Sequence, residues 1–298
     1  MIDLSIIIVS WNVKDLLDEC LASIFANQDR LQIEVFVSDN LSNDGTPEMV
    51  KKKYPQVKYI QNEGNIGFTK ANNRALPQAS GKYIFYLNPD TIIKPRALSR
   101  MVEFMAKTPS AGALGPRLLN SDGTLQLSCR TFPTLTTQLY NTLFLDALFP
   151  KTKLFGKYMM SWWQHDDLRA VNQPMGSALL VRKEILDKIG AFDENIIFWY
   201  DEVDLCKRIK NAGWQIFFLP SAEIVHYGGQ GFGQWKGIRK SLWGAYIWRK
   251  SRNYFFKKSY GFWQVPILML LDVTQIAIIL GLLYLIVKLI WLAINFVF

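Results

Sequence analysis

The stretch LSIIIVSWN, residues 4–12, is a short apolar run that closes on Ser10, Trp11 and Asn12. A run this short, rich in β-branched side chains and bounded by turn residues, reads as a strand buried on both faces. It is too short for a secretory leader, and no cleavage site follows it. Outward from it the same pattern repeats. Strands are expected at Leu4–Ser10, Glu34–Ser38, Val57–Gln61 and Tyr83–Leu87, with helical periodicity at Val13–Ala26, Thr46–Lys53 and Thr69–Gln78 between them. Successive β-α-β units predict an α/β fold with a Rossmann-like, mainly parallel sheet covered on both faces. Ligands of such sheets bind beyond the carboxyl ends of the strands.

The residues just past each predicted strand are polar. They are Ser10-Trp11-Asn12, then Asp39-Asn40, then the loop 62–68 with Asn65 and Gly67, then Asn88-Pro89-Asp90-Thr91. Any one tip can be a turn or a helix cap, as Asp44 can be for the helix at Thr46. Four together point to one crevice. No GxGxxG follows the first strand and no Walker A motif occurs, which disfavours dinucleotide and P-loop chemistry.

In the second half, Met175–Val181 reads as a strand and Lys183 opens a helix. A helical pattern from Asp201 to Ala212 crowds Asp201, Glu202 and Asp204 into its first turn, behind the aromatic run 198–200. Acidic residues there suit the helix dipole, but three carboxylates exceed what capping needs, and a site is expected. Cys206 in the same pattern reads as a small buried side chain, and the three widely spaced cysteines as reduced thiols. His226, one of two histidines, opens a glycine-rich loop at 228–231.

The formal net charge is +9, and eight Lys or Arg with no acid lie between Trp235 and Lys258. The rest of the chain is therefore nearly neutral, and a nucleic-acid-binding domain is not expected. The patch also carries Trp243, Tyr246 and Trp248, which suits a helix on an anionic membrane surface. From Phe262 to Phe298 the chain is almost wholly apolar. That is long for one upright span and short for two. An interfacial first part, a steep tilt or a shallow hairpin would each accommodate it. Asp272 favours the first, with Val273 to about Ala293 as the span and Lys288 snorkelling at its far end.

The stretches LSIIIVSWN, VFVSDNLSNDGT, NEGNIGFTKANNRAL, YIFYLNPDT, MGSALLVRKE, FDENIIFWYDEVDLCKRIKNAGW and VHYGGQG, in that order across residues 3–233, resemble family 2 glycosyltransferases of the GT-A fold, especially the bacterial rhamnosyltransferase-like branch. The resemblance implies an inverting transfer from a nucleoside diphosphate sugar, with no covalent intermediate. On that analogy the donor contacts Ser10, Trp11, Asn12, Asp39, Asn65, Gly67, Asn72 and Asn88, Asp39 taking the base. Asp90, last residue of the D-x-D position, and His226 would hold Mg²⁺ or Mn²⁺. Glu202 or Asp201 would be the catalytic base, with Glu202 preferred. Two departures stand out: the D-x-D reads Asn88-Pro89-Asp90, one carboxylate fewer, and the acidic pair is Asp-Glu where Glu-Asp is commoner.

The chemistry agrees with that picture. An acceptor hydroxyl must lose its proton as it attacks, and the leaving diphosphate must be charge-stabilised. The resemblance implies rhamnose transfer from dTDP-rhamnose, and the apolar tail points to a lipid-linked glycan acceptor in cell-surface polysaccharide synthesis, at the cytoplasmic face of the inner membrane. Competing readings are a transferase using a UDP- or GDP-sugar and an inactive membrane scaffold. The expected organisation is a catalytic domain at 1–233, a basic amphipathic segment at 234–260 and a membrane anchor at 261–298.

Overall fold

The computed structural model describes residues 1–228 and 238–297, with side chains described at fewer positions near 238–241 and 290–297. The glycine-rich loop beyond Gly228, the first residues of the basic patch and the 233/234 boundary lie outside the described residues. The described residues pack as two compact units, 1–132 with 163–252 and 133–162 with 253–298.

The first unit opens with β1 (Leu4–Ser10), α1 (Lys14–Ala26), β2 (Ile33–Asp39), α2 (Thr46–Lys53), β3 (Lys58–Gln61), α3 (Phe68–Ala75) and β4 (Tyr83–Leu87). These are the elements read from the sequence, with ends shifted by at most one residue, except that α3 stops at Ala75 and a 3-10 turn carries the chain on to Gln78. There follow β5 (Thr91–Ile93), α4 (Ala97–Lys107), β6 (Ala111–Leu119), β7 (Leu125–Gln126) and β8 (Cys129–Arg130). The second unit contributes α5 (Leu135–Thr142) and α6 (Leu145–Leu148). The chain then returns to the first unit with β9 (Arg169–Ala170), β10 (Gln173–Pro174), β11 (Ala178–Arg182), α7 (Lys183–Ile189), α8 (Asp201–Asn211) and β12 (Gln215–His226). Last come α9 (Ile238–Tyr260) and α10 (Gln264–Val297).

The main sheet runs β3-β2-β1-β4-β11-β6-β12-β5, with β7 on β6 and β9 on β12. The expected parallel arrangement holds for β3, β2, β1 and β4. Farther along the sheet is mixed: β11 runs antiparallel to both β4 and β6, and β5 antiparallel to β12. Alternate residues of the strands serve the two faces. Ile6, Ile8, Val35 and Val37 join a core with Leu17, Leu21 and Ile24 of α1 and Leu98, Met101 and Met105 of α4. The α1 residues recur at i, i+4 and i+7, the stripe that an amphipathic helix buries. On the opposite face Tyr86 meets Phe192 with ring centroids 4.6 Å apart.

The antiparallel insertion of β11 matters for the site. Its first residue, Ala178, pairs with Leu87, the last residue of β4. The turn before β11 therefore meets the tip after β4. In the same way His226, at the end of β12, pairs with Thr91 of β5. Residues far apart in sequence are thus delivered to one sheet edge.

The tail forms one continuous helix, α10, and no hairpin. Pro266 lies in its first turn, where no intrahelical N–H bond is lost. Residues Gln264–Leu289 are long and apolar enough to cross a membrane, and their most apolar stretch is not buried in the protein. The three cysteines are free thiols, as expected; Cys206 is buried, as expected, and so are Cys20 and Cys129, whose thiols burial pushes up to about 12.

Candidate active site

The tips of β1 and β2 are joined by a short polar network. The Asp39 carboxylate, fully buried, accepts from Ser42 N at 2.7 Å and Ser42 Oγ at 2.6 Å. Ser42 Oγ in turn accepts from Asn12 N at 2.8 Å, and Asn12 Oδ1 accepts from Asn43 N. Asn12 adopts a left-handed backbone with φ 52°. Ser10 Oγ is buried beside this network without a hydrogen-bond partner. Asp44 accepts from Lys14 N, Thr46 N and Thr46 Oγ1, and so caps the starts of both α1 and α2.

The third tip joins the second. Asn65 Oδ1 accepts from Gly67 N at 3.1 Å and from Asn40 Nδ2 at 3.3 Å. Gly67 has φ 88°, a conformation glycine adopts without strain. Asn72 lies inside α3, its amide donating to Phe68 O of the preceding turn. Its neighbour Asn73 has the longer reach: its amide brackets Phe192, donating to the carbonyl and accepting from the N–H. It thereby ties α3 to the loop that precedes α8.

Past β4, Asn88 N donates to Ser177 O at 2.9 Å, fixing the Asn88-Pro89-Asp90 turn on the turn before β11. Asp90 is 3% exposed, and its Oδ1 lies 3.4 Å from His226 Nε2. The other imidazole nitrogen, Nδ1, is 2.7 Å from Gln126 Oε1. Gln126 Nε2 donates to His226 O and to Asn120 Oδ1, which orients the amide with its oxygen toward the ring. A ring nitrogen facing that oxygen must carry the hydrogen, an assignment made from the network. In the neutral imidazole, Nε2 is then left with its lone pair toward the carboxylate. Two acceptors so placed attract a shared cation. Among the described residues no group of three His, Cys, Asp or Glu surrounds a common point. Mg²⁺ in nucleotide sites is commonly held by only one or two carboxylates, with substrate phosphates and water completing its shell.

The acidic pair approaches from α8. Trp199 and Tyr200 both carry positive φ, 55° and 62°. This conformation costs an aromatic residue about 1–3 kcal/mol. Tyr200 is buried against Trp248, ring centroids 6.0 Å apart, and Ser251 Oγ of α9 donates to Phe198 O at 2.8 Å. These contacts hold the double turn that sets Asp201 and Glu202 at the start of α8. Burial, and then the Glu202 charge, push Asp201 well above the usual carboxylate range. Burial also raises Glu202, but the Arg130 guanidinium opposes it. Burial thus disfavours two charges side by side, and Arg130 faces Glu202 with the compensating positive charge. Gly176 faces Glu202 so closely that an added Cβ would lie 3.1 Å from the Glu202 Cβ. Gly176 and Ser177 therefore link the acidic pair to Asn88 and Asp90.

The third carboxylate has another task. Asp204 Oδ2 pairs with Arg208 Nε at 2.8 Å, and Arg208 also donates to the carbonyls of Ile189, Gly190 and Ala191. Asp204 thus helps lock α8 to the loop after α7. Asp204→Ala strands a largely buried guanidinium and should cost about 3–5 kcal/mol of stability. Urea unfolding checks this; a loss under 1 kcal/mol would remove Asp204 from the scaffold.

Gln126, Arg130 and Gly176 were not singled out by sequence reasoning. One signal was available for the first: Asp122-Gly123 closes the β6–β7 hairpin, with Gly123 at φ 81°.

The model of glycosyl transferase family 2 matches residues 5–164. The chain is 29% identical over 235 residues to the N-acetylglucosaminyl-diphospho-decaprenol L-rhamnosyltransferase of Mycobacterium tuberculosis, covering 75% of this chain and 76% of that one. It is 25% identical over 234 residues to rhamnosyltransferase WbbL of Escherichia coli, covering 74% and 82%. Among solved structures, the mannosyltransferase PcManGT from Pyrobaculum calidifontis, in complex with GDP-Man and Mn²⁺, superposes with TM-score 0.53 at 17% identity, covering 92% of this chain and 75% of that one. At that identity the likeness speaks to the fold alone.

Proposed function

Because this chain belongs to glycosyl transferase family 2, and is a glycosyltransferase of the rhamnosyltransferase-like kind, we propose that it transfers L-rhamnose from dTDP-rhamnose to a hydroxyl of a polyprenyl-diphosphate-linked sugar, with inversion. The observation that carries this reading is the meeting, at one sheet edge, of Asp90 and His226 with the Asp201–Glu202 pair through Asn88 and Ser177. The names of the two rhamnosyltransferase relatives support the sugar and, in one case, the acceptor class.

In this reading the donor lies across the tips of β1 to β4. The polar groups of Ser10, Trp11, Asn12, Asn65, Gly67, Asn72 and Asn88 are its surroundings, and Asp39 takes the base. The Asp90 carboxylate and His226 Nε2 would hold Mg²⁺ or Mn²⁺, which when bound neutralises charge on the leaving diphosphate. Gln126, by holding the hydrogen on His226 Nδ1, would leave Nε2 free to ligate that ion. On the acceptor side, the Glu202 carboxylate takes the hydroxyl proton as the oxygen attacks the anomeric carbon. The bond from that carbon to the diphosphate oxygen breaks as the new one forms. Burial disfavours a second negative charge on Asp201 beside Glu202.

Residues 1–233 carry the chemistry in this reading, 234–260 lie at the membrane surface, and 261–298 anchor the protein. The basic residues before α10 keep the catalytic region on the cytoplasmic side.

A turnover screen over dTDP-, UDP- and GDP-sugars tests the donor assignment. Donor hydrolysis fastest with dTDP-rhamnose is expected; preference for a UDP- or GDP-sugar would overturn it. Asp39→Ala should weaken donor binding by about 1.5–3 kcal/mol, the worth of a charged hydrogen bond. Calorimetry showing unchanged affinity would remove Asp39 from the donor site.

A further inference from the structure

Residues 133–162 and 253–298 form one compact unit. Within it α5 lies against the start of α10: Gln275 Nε2 donates to Asn141 O at 3.3 Å, and Leu268 is fully buried. Beyond Gln275 the helix leaves this support, and every residue from Ile276 to Leu289 is exposed except half-buried Ile278. Apolar surface also continues sideways onto the segment beside it. Leu139, Leu143, Leu148, Phe149 and Leu154 are 40%, 40%, 66%, 50% and 55% exposed.

That segment is a folded surface. Thr134 and Thr137 form a capping box at the start of α5. Phe155 packs on Tyr140 and Phe149 with centroids 5.0 and 5.6 Å apart, and Ser161 Oγ donates to Pro150 O. Its charge is one-sided. Lys151, Lys153 and Lys157 are exposed among the apolar side chains, and Asp146 is the one acid between residues 133 and 162. The Asp146 carboxylate is already engaged by Asn141 Nδ2.

Leucine and phenylalanine exposed beside lysines are what a surface needs to enter the headgroup layer of an anionic bilayer. We propose that residues 139–157 form a collar that lies on acidic phospholipid around the base of α10. This rests on the reading of α10 as the anchor. It adds a second attachment that fixes how the anchored unit sits on the bilayer, which one helix alone leaves free to swivel.

The test uses the full chain in nanodiscs of phosphatidylcholine with phosphatidylglycerol. The native cysteines are buried, so fluorophores can be placed singly at L148C, L154C and L283C. Nitroxide-bearing lipid should quench all three labels, and aqueous iodide should reach the first two poorly. Reversing Lys151, Lys153 and Lys157 to glutamate should shift the collar toward water by about fivefold per lysine. If lipid quenches the label at 283 while iodide freely reaches those at 148 and 154, the collar is wrong and the anchor stands. If lipid fails to quench the label at 283, the anchor fails and the collar with it. Labels at 148 and 154 shielded from iodide but untouched by lipid nitroxide would mean that protein covers the patch, which also overturns the proposal.

Discussion

Asp90→Ala is expected to lower sugar transfer by about three orders of magnitude or more while leaving the fold intact. A divalent ion at a leaving diphosphate is worth several kcal/mol, and each 1.36 kcal/mol is about tenfold in rate. Here the protein offers that ion one carboxylate, because the position two residues earlier is Asn88. Among the described residues no group of three His, Cys, Asp or Glu could hold an ion in its place. The structural cost should be small. The main-chain role of Asp90, accepting from Tyr227 N at 3.0 Å, survives in alanine. The assay is transfer at saturating Mn²⁺, with thermal unfolding as the fold control. Near-normal turnover would take Asp90 out of the mechanism. Gln126→Leu should move activity in the same direction by less, because it frees the imidazole to switch tautomer without removing a ligand.

Glu202→Gln is expected to lower transfer by about 10²–10⁴-fold, the worth of a positioned general base, with donor affinity retained. Asp201→Asn should keep most of its turnover, because asparagine keeps the shape of the side chain and removes only a charge that burial already disfavours. The pH dependence has a defined sign. Burial raises Glu202 above the ordinary carboxylate range, and Arg130 only partly opposes it. The active carboxylate is therefore lost as pH falls through that raised value. The acid limb of kcat/KM should lie above the usual carboxylate range and disappear in Glu202→Gln. An inactive Asp201→Asn beside an active Glu202→Gln would reverse the assignment.

The sequence carried the part of the fold that obeys local rules. An apolar run with polar closure marks β1, and the i, i+4, i+7 stripe of Leu17, Leu21 and Ile24 marks α1. The strand-end rule then leads to Ser10, Asp39, Asn88 and Asp90 without a structure. The antiparallel strands were legible only in part, because β7 and β8 are two residues each and too short to show a period. Gln126 and Arg130 sit on them. Gly176 matters for the side chain it lacks, which only its distance from Glu202 shows. Trp199 and Tyr200 carry no residue-type signal for left-handed backbone, which glycine and asparagine normally provide. Asp204 was read with the acidic pair, yet Arg208 four residues on was the visible sign of a helix ion pair. The collar segment mixes short helices with lysines and shows no sustained period, so nothing in it announced a surface until α10 was seen beside it.

The central claim is an inverting sugar transfer to a lipid-linked acceptor. The most direct test is to incubate the purified full chain with dTDP-rhamnose, a polyprenyl-diphosphate-linked N-acetylglucosamine and Mn²⁺, and to determine the product's anomeric configuration by NMR. A single new glycosidic bond on the acceptor, with configuration opposite to the donor's, is the predicted result. A product that retains the donor's configuration, or no product with any nucleotide sugar, would contradict the account.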